Sequence, residues 1–588
     1  MAKSPSPLST TSHLVFLQLF TRLLTFAMNR TLLRLASTAA YGTASIQFEL
    51  LISTILFLAR EGVRGALLRS NTVSATTSKE KTTSDLALPS RPSLLSYLPL
   101  AWGIPLAVGT AAFYGLSWAG PETRAQPFFQ EAVAIYAVAA LIELAAEPMH
   151  NATMVSLRTQ VRVRAEGLAI ACKTMATLAV LLYGERVTGD GQLALLAFAA
   201  GQLTYASTLV GVYAAHYSIT WLVPDFSQLR QSSTATTSQT RLALAMTGQS
   251  LVKHVLTECD KLILAWVAPL TDQGGYAVAV NYGSLLARII LQPIEETLRV
   301  HFSRAKAQAG DDQATQEKIP AKDAKSEKPG QTVKQRNKKA HSNVQGASED
   351  EKATASSTDR ARRTLLDVLA VQLGLSLIFL TFAVPYLPVL LPFVLTPKWM
   401  ATSAPRILQA WMWYVPVLAV NGSMEAYVSS LSSESALGTW SRYLTLASPI
   451  FPVTALGLYR AGFGDEALVY ANIANLAARI AYCVRFAFPA GTASFRDVLP
   501  GRVAVIACAV ANIAIRASAS YVLGSAAYPW LLRVAVHVAI GGCLGVACVV
   551  AWWVGDNMPQ RLGLDGWMGL GVIESRLRRL TRSGVKEE

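Results

Sequence analysis

The sequence is short of charge. Asp, Glu, Lys and Arg make up only 15% of its 588 residues, against 52% hydrophobic, and the mean hydropathy is +0.34. That balance excludes a soluble protein of this size and indicates a polytopic membrane protein. Cysteine is scarce as well. The six, at 172, 259, 483, 508, 543 and 548, lie singly in apolar segments with no Cys-x-x-Cys and no Cys/His spacing suited to zinc, so neither a disulfide framework nor a metal site is indicated. Also missing are a GxxxxGK phosphate loop, HExxH, GxSxG and any long extramembrane catalytic loop; GFGDE at Gly462 is too short to serve as a nucleotide site. Hydrolysis of ATP within the chain is therefore unsupported, and no cofactor is implied. The net charge of +15 is the one hint of nucleic acid, but the basic residues gather at the ends of apolar segments and in one polar insert. Membrane topology explains them better.

What is present is a succession of apolar runs. The first, 14–28, follows a polar stretch of residues 1–12 and is expected to be a retained helix carrying Gln18 and Arg22 on one face. Further spans are expected near 46–67, 95–118, 128–148, 165–184, 192–214, 248–266 and 275–300, then near 364–393, 405–430, 440–460, 467–488, 501–523 and 530–553. This makes about fourteen helices at roughly 20 residues each. From 305 to 363 Lys, Asp, Gln, Ser and Ala dominate, which predicts a disordered cytosolic loop. The expected order is a cytosolic N-terminus (1–12), a first lobe of six helices with the first two of a second lobe (13–304), the loop, the rest of the second lobe (364–488), two added helices (501–553) and a cytosolic tail (554–588). If the loop is cytosolic, the loops bearing Arg64 and Arg69, then Arg158, Arg162 and Arg164, then Arg230 and Arg241 fall on the same side, and both termini face the cytosol. QLFTRLLTF from Gln18 and QSLVKHVLT from Gln249 share a Gln with a basic residue four later, as two repeated bundles would.

The chain is organised around GQSLVKHVLTECDKLILAW, Gly248 to Trp266. Gln249, Lys253, His254, Glu258, Asp260 and Lys261 fall on about half of a helical wheel, and Val252, Val255, Leu256 and Ile263 on the other. A Lys or Asp at a membrane centre costs roughly 2.5–3.5 kcal/mol, so this face is expected to look inward, on partners or a wet cavity. Other charges sit one turn apart: Arg60 with Arg64, suited to an anionic head group or to the membrane edge, and Glu143 with Glu147 before Pro148. Pro293 should kink or break its helix, with Glu295 and Glu296 directly behind it as gating or structural charges, or as an acid/base pair in an intramembrane transferase. Asn472, Asn475, Arg479 and Tyr482 share one face: the guanidinium suits phosphate, the amides suit sugar hydroxyls, and amides also serve as glue between helices.

The Gly248–Trp266 stretch resembles the signature of the eukaryotic dolichol-linked heptasaccharide translocation proteins of the N-glycosylation pathway. QPIEET at Gln292, STILFLAREGVR at Ser53, AEPM at Ala146, AEGL at Ala165 and YANIANLAARI at Tyr470 are similar to that family's other blocks. Two departures are visible: Cys259 stands where Gly is expected, and the 305–363 insert is long and polar. The resemblance implies membership of the wider multidrug, polysaccharide and oligosaccharidyl-lipid exporters, with two six-helix lobes around a central cavity. It implies residence in the endoplasmic reticulum membrane and ATP-independent movement of a diphosphate-dolichol-linked oligosaccharide from cytosolic to lumenal leaflet, with no enzymatic activity.

On that basis Arg22, Arg60, Arg64, Lys253 and Arg479 are expected to attract the diphosphate, and Gln249, Asn472 and Asn475 to meet sugar hydroxyls, while Glu258 and Asp260 orient Lys253 and Lys261. Two alternatives stand beside it. One is a cation-coupled exporter of small molecules using Glu143, Glu147 and Glu258; the other is an accessory factor that binds the lipid without moving it.

Overall fold

The computed structural model describes residues 28, 30–77, 94–156, 158–187, 189, 191–224, 247, 248, 251, 254–317, 335–489, 498–524 and 529–561. Among the described residues every regular element is helical. Nine of these helices are long and apolar enough to cross a membrane, ten if one bent pair counts as a single span. Their flanks carry large apolar side chains that are more than half exposed, such as Trp102, Val108, Leu116, Val163, Met175, Ile513 and Val546. Water would not tolerate such flanks, whereas lipid does. The protein is therefore an all-α, multi-span membrane protein. Except for Met28, the expected helix at 14–28 lies outside the described residues.

The described residues fall into two compact units, one drawn from 1–278 with 396–404, the other from 279–395 with 405–588. In the first, the Ser37 hydroxyl accepts from the Ala40 amide at 3.2 Å and caps Thr38–Gly42, and a π-turn, Thr43–Phe48, leads into α1, Glu49–Thr77. Then come α2, Leu98–Phe113, and α3, Phe129–Ala145. Pro148 has no N–H to continue the ladder, and the axis bends by 40° into α4, Glu147–Val155. The next two helices, α5 (Thr159–Val187) and α6 (Ala194–Tyr217), form a hairpin. Gly189 and Gly191 supply its reversal at φ 68° and 64°, and Gly201 lies against Thr177, letting the two backbones close up.

The helix expected to run unbroken from 248 to 266 is interrupted at Glu258 (φ −93°, ψ 9°), beyond which α7 spans Cys259–Val267. Asp260 thereby falls in the first turn of α7, where the helix dipole favours a carboxylate. This segment also belongs to the first unit, although the sequence pattern assigns it to the second lobe. The reason is its partners: His254 meets Thr54 Oγ1 at 3.0 Å and stacks on Phe57 at 4.8 Å, and in the following helix, α8 (Leu270–Leu286), Gln273 accepts from Gln47 at 2.8 Å. Gly274 and Gly42 meet backbone to backbone. The 396–404 segment is tied in by Trp399 Nε1, which donates to the Leu33 carbonyl at 2.9 Å, and by Asp272, which accepts from the Ser403 amide at 2.8 Å.

A π-turn, Ala287–Leu291, joins α8 to α9, Gln292–Glu317, in one continuous helix; Pro293 directly follows that turn, a local widening that accommodates its ring and missing donor without breaking the helix. Next come α10, Gln335–Val394, and α11, Ala404–Leu431. Where disorder is expected, the backbone of 305–317 and 335–363 is helical: Ala, Lys, Gln and Glu are good helix formers even without an apolar face. The span expected at 440–460 is divided at Pro449 into α12, Glu434–Ala447, and α13, Ile450–Arg460. The unit closes with α14 (Ala467–Ala487), α15 (Arg502–Ser518) and α16 (Trp530–Gly555). Its core joins Leu298 and Phe302 of α9, Leu365 and Leu369 of α10, Met424 and Tyr427 of α11, Cys483 of α14 and Trp552 of α16.

Candidate functional site

In the first unit the charges one turn apart on α1 meet those one turn apart on α3 and α4. Arg60 Nη1 donates to Glu143 Oε1 at 2.7 Å and lies 3.4 Å from Glu147 Oε1. Arg64 grips Glu147 with two bonds, Nη2 to Oε1 at 2.6 Å and Nε to Oε2 at 2.9 Å. Both carboxylates are buried, and the two arginine side chains are about a quarter exposed (23% and 25%). This places the arginines against buried carboxylates of the first unit. The bend at Ala146 is what lets Glu143 and Glu147 face the same two guanidinium groups.

This cluster is a shared wall. On one side lies a cavity of 690 Å³, on the other a chamber of 120 Å³, and Arg60, Arg64 and Glu143 line both. Around the larger cavity stand three cations, Arg60, Arg64 and Lys173, and four carboxylates, Glu49, Glu61, Glu143 and Glu258. Tyr136, Gln202, Tyr205 and His254 complete a lining rich in hydrogen-bonding groups. Lys173 differs from the arginines, because its ammonium donates to the Gln202 amide oxygen at 2.6 Å and lies 5.9 Å over the Tyr205 ring. Its partners are an amide and a ring, whereas Arg60 and Arg64 are paired with the carboxylates Glu143 and Glu147. Glu258 holds Lys261 at 2.8 Å, and Tyr276 donates to Asp260 at 3.4 Å. Arg22, Gln249 and Lys253 lie outside the described residues.

The second unit contains the remaining candidates. Arg479 of α14 pairs with Glu425 of α11 at 2.6 Å, and Asn421 donates to the same carboxylate at 3.0 Å; Asn472 and Asn475, half-buried, share the α14 segment with Arg479. Glu295 pairs with Arg299 at 2.6 Å, and Glu296 is exposed. Sequence reasoning passed over Lys173, Gln202 and Glu425 as site residues. The signal existed for two of them, since a lone Lys in apolar α5 and a lone Glu in apolar α11 are costly in a membrane unless they serve or pair.

The sequence pattern of the Rft protein family (Rft-1) matches residues 6–559. The chain belongs to that family. Among Rft relatives, the Man(5)GlcNAc(2)-PP-dolichol translocation protein RFT1 of Schizosaccharomyces pombe is 31% identical over 502 residues, covering 83% of this chain and 84% of that one. The proteins of the same name from Saccharomyces cerevisiae and Xenopus tropicalis are each 26% identical, the first covering 82% of this chain and 85% of its own, the second 91% and 92%. Among solved structures, the lipid II flippase MurJ in its inward closed conformation matches with a TM-score of 0.52 at 12% identity, over 91% of this Rft chain and 98% of MurJ. At that identity the likeness is one of fold.

Proposed function

We propose that this Rft-family chain moves the lipid for which its relatives are named, a Man(5)GlcNAc(2) oligosaccharide joined through diphosphate to dolichol, from the cytosolic to the lumenal leaflet of the endoplasmic reticulum membrane. It does so without hydrolysing ATP and without making or breaking bonds in the lipid, and both termini lie in the cytosol. The observation that carries this reading is the 690 Å³ cavity among the helices of the first unit, open on one side and lined by charged and hydrogen-bonding side chains alongside apolar ones. A sugar head group dragged through hydrocarbon loses every hydrogen bond to its hydroxyls, and a diphosphate loses its hydration as well. A wet, polar cavity replaces both, while the dolichol chain stays in lipid.

The charge inventory refines the roles. A lining of four carboxylates and three cations suits a neutral polyhydroxylated group, whose hydroxyls donate to carboxylates and accept from Lys, Arg and Tyr. Among the described residues lining the cavity, Lys173 is the cation with no carboxylate partner, ready for the diphosphate. Arg60 and Arg64 engage it only by exchanging Glu143 and Glu147 for phosphate oxygens, which couples head-group arrival to opening of the wall. The test is translocation of the dolichol-diphosphate heptasaccharide in vesicles holding only the purified protein, beside empty vesicles and a Lys173→Gln variant. Transport by the wild type and its loss in the variant are expected. No transport by the wild type, with the lipid still bound, would replace this reading with that of an accessory binding factor.

A further inference from the structure

The second unit holds a separate cavity of 280 Å³ whose walls come from the α8–α9 junction, α10 and α11. Trp411 and Tyr414 of α11 form one side, packed edge to face at 4.8 Å. Arg288, Glu295, Gln372 and Ser423 contribute the polar groups. Two of the lining side chains are more than nine-tenths buried, each with an unfilled hydrogen-bonding capacity: Gln372, whose nitrogen donates to Ser423 Oγ at 2.8 Å but whose Oε1 has no partner, and Trp411, whose Nε1 has none. Such orphans cost about 1–3 kcal/mol each when left unmet. Glu295 is held close by a missing side chain: a Cβ on Gly422 would stand 3.0 Å from Glu295 Oε2. Among the described residues, Arg288 donates to Asn281 and Ser284, at 3.0–3.5 Å, and meets no carboxylate.

We infer that this cavity is a sugar subsite, taking one or two neutral pyranose rings of the oligosaccharide; the inference rests on the translocation reading for the source of that sugar. The argument is one of donors and acceptors. The orphan pair consists of one acceptor and one donor. A phosphate only accepts and an ammonium only donates, so either would leave one orphan unmet, whereas a hydroxyl does both. The Trp411–Tyr414 wall offers an aromatic surface to the C–H face of a pyranose; Arg288 and the Oε2 of Glu295, whose Oε1 holds Arg299, serve the remaining hydroxyls. Ligand clefts generally run to about 300–1,000 Å³, so 280 Å³ fits the end of a glycan, not the whole of a heptasaccharide.

The test is binding of the free Man(5)GlcNAc(2) oligosaccharide, without lipid, to the full-length protein in lipid nanodiscs, followed by calorimetry. Trp411→Leu, Gln372→Leu and Glu295→Gln should each weaken it about tenfold, the loss of one good contact. Gly422→Ala should do the same by displacing Glu295, although it removes no polar atom. Binding of dolichyl diphosphate by the same variants should stay at the wild-type level, which also shows that they fold. Wild-type protein that does not bind the free oligosaccharide, or variants that bind it undiminished, would overturn the subsite. Wild-type protein that binds it here, loses it in the variants and yet transports nothing would leave the subsite standing and remove the translocation reading instead.

Discussion

Replacing Glu147 with alanine removes the carboxylate that meets Arg64 at 2.6 and 2.9 Å and Arg60 at 3.4 Å. Taking one partner from a buried pair costs roughly 3–5 kcal/mol, because the other charge is left uncompensated. Here the arginines are about a quarter exposed and border the 690 Å³ cavity, where water can reach them, so the lower end applies. We expect about 3 kcal/mol for Glu147→Ala. Arg64→Ala should cost less, since Glu147 keeps Arg60 within 3.4 Å. The double variant leaves Arg60 and Glu143 as an intact neutral pair at 2.7 Å, so its cost should fall short of the sum by about 2 kcal/mol. Reversible unfolding in mixed micelles, run on the four proteins as a double-mutant cycle, reads that coupling directly. Additive effects, with a coupling below about 0.5 kcal/mol, would show that the cluster does not hold α1 to α3 and α4.

Three further outcomes are expected. Lys173→Gln, which breaks no ion pair, should leave unfolding stability within about 0.5 kcal/mol of wild type while weakening dolichyl diphosphate binding about tenfold; a variant that unfolds early would show Lys173 to be structural. Gly42→Val would set a side chain 2.6 Å from the Leu270 carbonyl and 2.7 Å from the Gly274 amide, backbone atoms that cannot swing aside. The overpacking costs about 1–3 kcal/mol or more, visible as loss of monodisperse protein on gel filtration, and a normal yield would contradict it. Arg479→Leu strands Glu425 with only the Asn421 amide and should lower the thermal aggregation temperature. Glu425→Leu added to it should restore most of the loss, and failure of that rescue would assign Arg479 a role beyond pairing.

Local spacing carried most of what could be read in advance. Apolar runs mark spans such as Leu94–Trp118 and Trp530–Gly555 because a membrane demands length and apolarity of each helix separately. Arg60 with Arg64, and Glu143 with Glu147, stand out for the same reason, being neighbours on their own helices. That the two pairs answer each other is invisible to spacing: their separation of 83 positions reflects tertiary packing and the bend before Pro148. The break at Glu258 was hidden because the same ionisable residues suit a continuous wet face and a helix start equally well. The helical backbone at 335–363 escaped notice because composition reports the lack of a core, while helix propensity needs none.

The ion-pair wall also sets a timetable for making the protein. Arg60 and Arg64 are synthesised 83 positions ahead of their carboxylates. At about 5–20 residues per second, α1 exists for some 4–17 s before Glu143 and Glu147 are made. Two arginines without their carboxylates would add about 5–7 kcal/mol to insertion of a helix that held them at the membrane centre, a cost that pairing with Glu143 and Glu147 offsets. We expect newly made α1 to settle in lipid only once α3 and the start of α4 have brought Glu143 and Glu147 to its two arginines. A chain truncated before residue 143 should fail at that step, with α1 left outside the bilayer although nothing in α1 itself has changed.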